Sequence, residues 1–181
     1  MKPIFYSIIF AILISSCASF TNPNSYIAES IENVDELQQL NGKFAVFQED
    51  CYERNLASML HFDTEVICIE EQKDRYFIEL SVIDKKEVLA KLFKGDFLLE
   101  EKNLKGGIKD NYFRKRTDFY FNIAYVIFNI YTEDDTRIGI LQNKNLTVDT
   151  TGGTCGLFIV FPIFCAGGDS NNNEFERLYE Y

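Results

Sequence analysis

From Tyr76 onward the chain changes character at every second residue. Tyr76, Ile78, Leu80 and Val82 alternate with Phe77, Glu79, Ser81 and Ile83. In a strand, successive side chains point to opposite faces, so this period of two writes a sheet and excludes a helix. Asp84-Lys85-Lys86 then supplies a turn, and Glu87 to Phe93 repeats the alternation, which predicts a hairpin. The same grammar continues. Lys94-Gly95-Asp96 introduces Phe97 to Asn103, and Gly106-Gly107 with Asp110-Asn111 punctuates a pair ending in Tyr112 to Arg116. Asp118 to Tyr131 is apolar on both alternating faces, as expected of a strand covered on two sides or of a bent pair. Thr132 to Thr136 reads as a polar turn, followed by a hairpin of Arg137–Leu141 and Leu146–Asp149 around Gln142 to Asn145. Gly156 to Cys165 is a further apolar run with an edge or bulge at Pro162, and Glu174 to Tyr181 forms a closing strand.

Nine or ten short strands at regular spacing predict an all-β fold, an antiparallel meander barrel or sandwich. One or two short helices precede it. Ser30 is the expected cap of a first helix ending before Gly42, in which Ile31, Val34, Leu37 and Leu40 form one apolar stripe, and a second helical piece runs from Arg54 to His61. Composition agrees: seventeen Phe and ten Tyr, with three Pro and no Trp, favour packed strands over disorder. No internal repeat stands out.

Leu40-Asn41-Gly42-Lys43-Phe44, a short helix running into a glycine and an aromatic first strand, resembles the opening of calycin-type barrels, without their usual tryptophan. Lys105 to Asp149 resembles the core of small Bacteroidota lipoproteins: a basic-aromatic hairpin, an aromatic strand, Arg137-Ile138-Gly139-Ile140, then Asn145-Leu146 to Asp149. That resemblance covers about a quarter of the chain and carries over no activity.

The N-terminus bears on location. Lys2 is a minimal basic region, Ile4 to Ile14 is almost wholly apolar, and Ser15-Ser16 precede Cys17. The apolar stretch is shorter than the roughly 20 residues that span hydrocarbon. Ile14-Ser15-Ser16-Cys17 resembles a bacterial lipobox, which implies cleavage before Cys17 and a diacylglycerol thioether on its sulfur. The resulting organisation is a signal peptide over 1–16, a lipidated tether over 17–29 and one β-rich domain over 30–181. Ala18 is not aspartate and no acidic run follows, which resembles sorting to the outer membrane, facing the periplasm. The formal charge of −10 argues against nucleic acid as a partner.

Four further cysteines meet an oxidising compartment. Cys51–Cys68 and Cys155–Cys165 are the local pairings among the three possible ones. No C-x-x-C occurs, so neither zinc nor any other cofactor is expected.

Catalysis finds little to work with. His61 is the only imidazole, sits among Met59, Leu60 and Phe62, and reads as a structural residue. Glu49-Asp50, Glu70-Glu71, Glu100-Glu101 and Glu133-Asp134-Asp135 fall at expected turns or strand ends, so a hydrolase using acidic residues is the weakest alternative. Arg114-Lys115-Arg116 reads as a solvated edge. Gly152-Gly153 and Gly167-Gly168 read as hinges around the apolar run. Asp149-Thr150-Thr151 resembles the O-glycosylation site of exported Bacteroidota proteins, with Thr150 as acceptor. The expectation is a non-enzymatic lipoprotein whose β domain binds a small apolar ligand or an envelope protein. Phe119, Phe121, Tyr125 and Phe128 are the candidate ligand-lining residues. Alternatively, Leu157 to Phe164 serves as a partner surface for assembly.

Overall fold

A computed structural model describes residues 30–48, 55–69, 75–123, 128–158 and 161–179. The described chain is all-β. Two one-turn helices, α1 (Val34–Leu37) and α2 (Leu56–Met59), accompany nine strands. The strands are β1 (Gly42–Ala45), β2 (Tyr76–Asp84), β3 (Glu87–Lys94), β4 (Phe97–Lys109), β5 (Tyr112–Ile123), β6 (Phe128–Ile140), β7 (Leu146–Phe158), β8 (Phe161–Phe175) and β9 (Arg177–Leu178). Every pairing is antiparallel, in the order β8-β7-β6-β5-β4-β3-β2-β1-β9.

Two strands tie this meander together. β4 pairs with β3 from Phe97 to Lys105 and with β5 from Gly106 to Lys109. The hand-over falls at Gly106, where a Cβ would collide with the Arg114 carbonyl, so only glycine allows this approach. Asp110 and Asn111 both take positive φ in the following two-residue turn, the backbone that matches the twist of a hairpin. At the other end of the chain, β8 and β9 are separated by Glu176 alone. Phe175 lies opposite Leu146 of β7, and Arg177 lies opposite Phe44 of β1. The last segment therefore touches both edges of the sheet, although its seam with β1 is only two register pairs long. Arg177 strengthens the seam by donating to the Asn41 and Gln39 carbonyls at 2.8 and 2.6 Å while stacking over Phe44.

The core fills the space between these strands and the helices. Phe44, Ile78, Leu80, Leu92, Leu104, Phe113, Ile138, Leu146 and Phe175 are fully buried, joined by Leu37 and Leu40 from α1 and its 3₁₀ extension and by Leu56 and Leu60 around α2. The described interior is packed rather than hollow. Each fully buried side chain of this size contributes about 1.5–3 kcal/mol. Asn33, not Ser30, caps α1, accepting from the Asp35 and Glu36 amides. Ser30 instead meets Asn111 of the β4–β5 turn at 2.7 Å.

Several elements differ from the sequence reading. Thr132 to Thr136 is no turn but the middle of β6, because Asp135 is held by Arg114 of β5 rather than by water. Asp118 to Tyr131 divides between β5 and β6. β7 and β8 run on through their glycines as continuous ladders, so Gly152-Gly153 and Gly167-Gly168 are not hinges.

Candidate functional site

Three adjacent strands and one short helix make a recess on the molecule. In register, Asp134 of β6 faces Gly152 of β7, which faces Gly168 of β8; one step on, Gly153 faces Gly167. Four glycines thus adjoin across two strands and leave the sheet bare of side chains there. α2 stands beside this area because Leu56, Ala57 and Met59 are buried in the core, and Asn55 caps its first turn by accepting from the Ser58 amide at 2.8 Å. The result is a cavity of about 580 Å³ lined by Ser58, Met59, His61, Asp134, Thr150 and Thr151 and by the four glycines. A Cβ built on Gly168 meets nothing within 4 Å, so this part of the wall is open space.

His61 enters the site from the turn after α2, with φ at +61°. Its amide donates to the Ser58 carbonyl at 3.1 Å, and its carbonyl accepts from the Lys102 ammonium. Glu100 clamps the next residues: its carboxylate accepts from the Asp63 amide at 3.1 Å and from the Thr64 amide and hydroxyl at 2.8 Å each. Burial pushes the Glu100 carboxyl up, but these three donors and nearby Lys102 outweigh it and hold the group below its ordinary value. β4 therefore fixes the position of the cavity's only imidazole.

The lining holds a serine, a histidine and an aspartate, which invites comparison with a nucleophilic triad. Ser58 argues against that role, since its hydroxyl donates to the Asn55 carbonyl at 2.8 Å instead of to an imidazole. Among the lining residues Asp134 is the one carboxylate, so the two-carboxylate arrangement of a glycosidase is not assembled here. Among the described residues no group of three or more His, Cys, Asp or Glu side chains could hold a metal ion.

Next to the cavity, β5–β7 carry a layer of buried charge. Arg137 Nε donates to Asp149 Oδ2 at 2.8 Å, with side-chain exposures of 7% and 0%. The Arg137 guanidinium lies 4.5 Å from the centre of the Tyr112 ring, which covers Gly139. Arg114 Nε donates to Asp135 at 2.7 Å. Lys115 is buried as well, so Arg114-Lys115 belongs to an internal strand and is not a solvated edge.

The expected site residues fall as follows. Thr150 is half-buried inside β7 and lines the cavity, between fully buried Asp149 and buried Thr151. The stretch lies within a strand paired on both sides. Cys155 and Cys165 are direct register partners across β7 and β8. Cys68 is disulfide-bonded, and Cys51, its expected partner, lies outside the described residues. Phe119, Phe121 and Phe128 take positions on β5 and β6, in strand portions whose side chains are outside the description, as are Tyr125 and the leader with Cys17. Leu157 to Phe164 straddles the β7–β8 turn, of which 159–160 lie outside the described residues. Sequence reasoning missed the cavity itself. The signal was present in two Gly-Gly pairs at nearly equal distances from one hairpin turn, which the register, with its shift at Gly156/Leu157, places side by side. Among the described residues no helix is long and apolar enough to cross a membrane. No protein-family model, no curated protein and no solved structure matches this chain.

Proposed function

We propose that this chain is a lipid-anchored protein of the bacterial envelope, tethered through Cys17, whose β domain binds a small ligand without transforming it. The observation that carries the binding reading is the cavity of about 580 Å³ between α2 and the paired glycines, a volume within the range of small-molecule sites. Its make-up suggests the ligand class. Bare glycine backbone and Met59 offer a flat, weakly polar floor, and Ser58, His61, Asp134, Thr150 and Thr151 supply hydrogen-bonding groups around it. A small amphiphilic molecule with a flat apolar face and a polar edge matches both. The aromatic interior that the sequence suggested falls on Phe119, Phe121, Tyr125 and Phe128, whose side chains lie outside the description, so the cavity carries the reading alone. The anchoring reading rests on the lipobox-like Ile14-Ser15-Ser16-Cys17.

Gly168→Trp tests the binding reading because the new side chain enters open space. Native mass spectrometry of protein purified in mild detergent is expected to show a small-molecule adduct on the parent chain and none on Gly168→Trp, with the two melting alike. A parent chain free of any adduct, or an adduct that persists in Gly168→Trp, refutes the binding reading. Palmitate labelling that is lost in Cys17→Ala tests the anchor separately.

A further inference from the structure

The end of the sheet that carries the β3–β4 turn is apolar where a protein surface is ordinarily polar. Phe97, Leu98 and Leu99 open β4 with exposures of 78%, 51% and 40%. They are consecutive in a strand, so they lie on both of its faces. Ile67 and Ile69 join them at 63% and 46%. Their placement follows from the hydrogen bonds: Lys102 reaches the His61 carbonyl and Glu100 the Asp63 and Thr64 amides, so the segment runs antiparallel to β4 toward Phe97. The chain then returns at Arg75, whose carbonyl accepts from Gly95 in the β3–β4 turn at 2.7 Å. In a meander, turns alternate between the two ends. β5 and β7 therefore end, and β6 and β8 begin, toward this side, and the residues there, 119–123, 128–132, 154–158 and 161–166, include no charged residue.

We infer that this end of the domain rests on the lipid bilayer. The inference rests on the anchoring reading for its nearness to lipid, and on the exposed side chains for the contact itself. A folded protein partner docks on one face of a sheet. Phe97 to Leu99 present both faces, which a fluid that surrounds the strand covers better. Tyr76 and Lys94 are register partners just behind the turn, with the Lys94 ammonium 4.9 Å over the Tyr76 ring. A tyrosine and a lysine at that level suit the headgroup layer. Asp96, within the turn, keeps the contact shallow. The tether allows this orientation. Ser30 sits at the opposite end, beside Asn111, and the thirteen residues from Cys17 to Ser30 reach at most about 45 Å when extended. The 13-residue β6 is about 43 Å long, so the tether can run the length of the domain.

The chain contains no tryptophan, so a single introduced one reports alone. Phe97→Trp is placed in the patch, and Ile83→Trp, 57% exposed beside the β2–β3 turn, marks the opposite end. Each lipidated protein is reconstituted into phosphatidylethanolamine/phosphatidylglycerol vesicles with and without brominated acyl chains. Flotation reports the anchor, and quenching reports the orientation. The expected result is a blue-shifted Phe97→Trp emission that brominated lipid cuts by about half or more, as for a ring roughly 5–10 Å into the headgroup/acyl boundary, with Ile83→Trp unaffected. Protein that floats while Phe97→Trp is no more quenched than Ile83→Trp overturns the inference and leaves the anchor standing. Protein that does not float defeats the anchor. Saturating vesicles are then added to the unanchored chain, and absence of a blue shift for Phe97→Trp overturns the inference too.

Discussion

Glu100→Gln is the substitution whose outcome follows most directly from the structure. The native carboxylate accepts three hydrogen bonds, from the Asp63 amide and from the amide and hydroxyl of Thr64. The amide side chain keeps the shape but has one accepting oxygen. That oxygen can serve the two Thr64 donors, and the new NH₂ then faces the Asp63 N–H. One donor loses its partner and the other bonds lose their charge assistance. Partial exposure lets water replace some of the loss, so the expected cost is about 1–2 kcal/mol at pH 7. For a domain of this size that corresponds to a melting temperature lower by roughly 2–8 °C.

The pH dependence supplies the decisive check. Glu100 is held below its ordinary value of 4.5 in the folded chain. A carboxyl with a depressed folded value contributes stability that is fully present above the unfolded value and is lost as pH falls through the folded one. The gap between parent and Glu100→Gln should therefore be constant from pH 7 down to about 5 and close at lower pH. Urea unfolding followed by far-ultraviolet circular dichroism at several pH values measures it. An unchanged gap at the lowest pH, or no gap at pH 7, refutes the clamp. His61 sits just before the clamped residues, so any ligand captured in the cavity should weaken in the same variant.

Two further predictions concern β7. Asp149→Ala removes a carboxylate partner of a buried guanidinium and should cost about 3–5 kcal/mol, whereas the double change Arg137→Met/Asp149→Leu should recover most of it; chemical denaturation of the parent and the two variants decides. A double variant no more stable than the single one refutes that account. Cys155 and Cys165 lie directly opposite in an antiparallel ladder, where Cα separations of about 4.5–5.5 Å fall within the range a disulfide bridges. Alkylation before and after reduction should show both thiols blocked together in protein from an oxidising compartment, and labelling of either one without reductant contradicts it.

What could be read from the residues is what depends on neighbours in sequence. The Tyr76–Asp84 and Glu87–Lys94 hairpin is legible because its alternation and its turn are both local. Thr132 to Thr136 misled because five consecutive polar residues, with Glu133-Asp134-Asp135 at their centre, resemble a solvated turn. The burial of Asp135 depends on Arg114, some twenty residues away, and no local pattern announces an ion pair. Arg114-Lys115 misled for the same reason. The cavity lies further out of reach. It needs Asp134, Gly152 and Gly168 in one register row and His61 delivered from a turn that Glu100 and Lys102 fix. Each of those relations is set by pairing across the sheet. Glycine in sequence signals freedom and so suggests a flexible joint, whereas glycine facing glycine in a ladder signals an absent wall.

The stitch between β1 and β9 has a consequence for how the molecule comes into being. Its bonds join residues 39–44 to Arg177, almost the whole chain apart, so it is among the last contacts a growing or threading polypeptide can make. Until Arg177 arrives, Phe44 lacks its lid and the first strand has an open border. A chain whose last segment is still held elsewhere is thus kept from finishing its fold, and the domain is completed only once that segment is free.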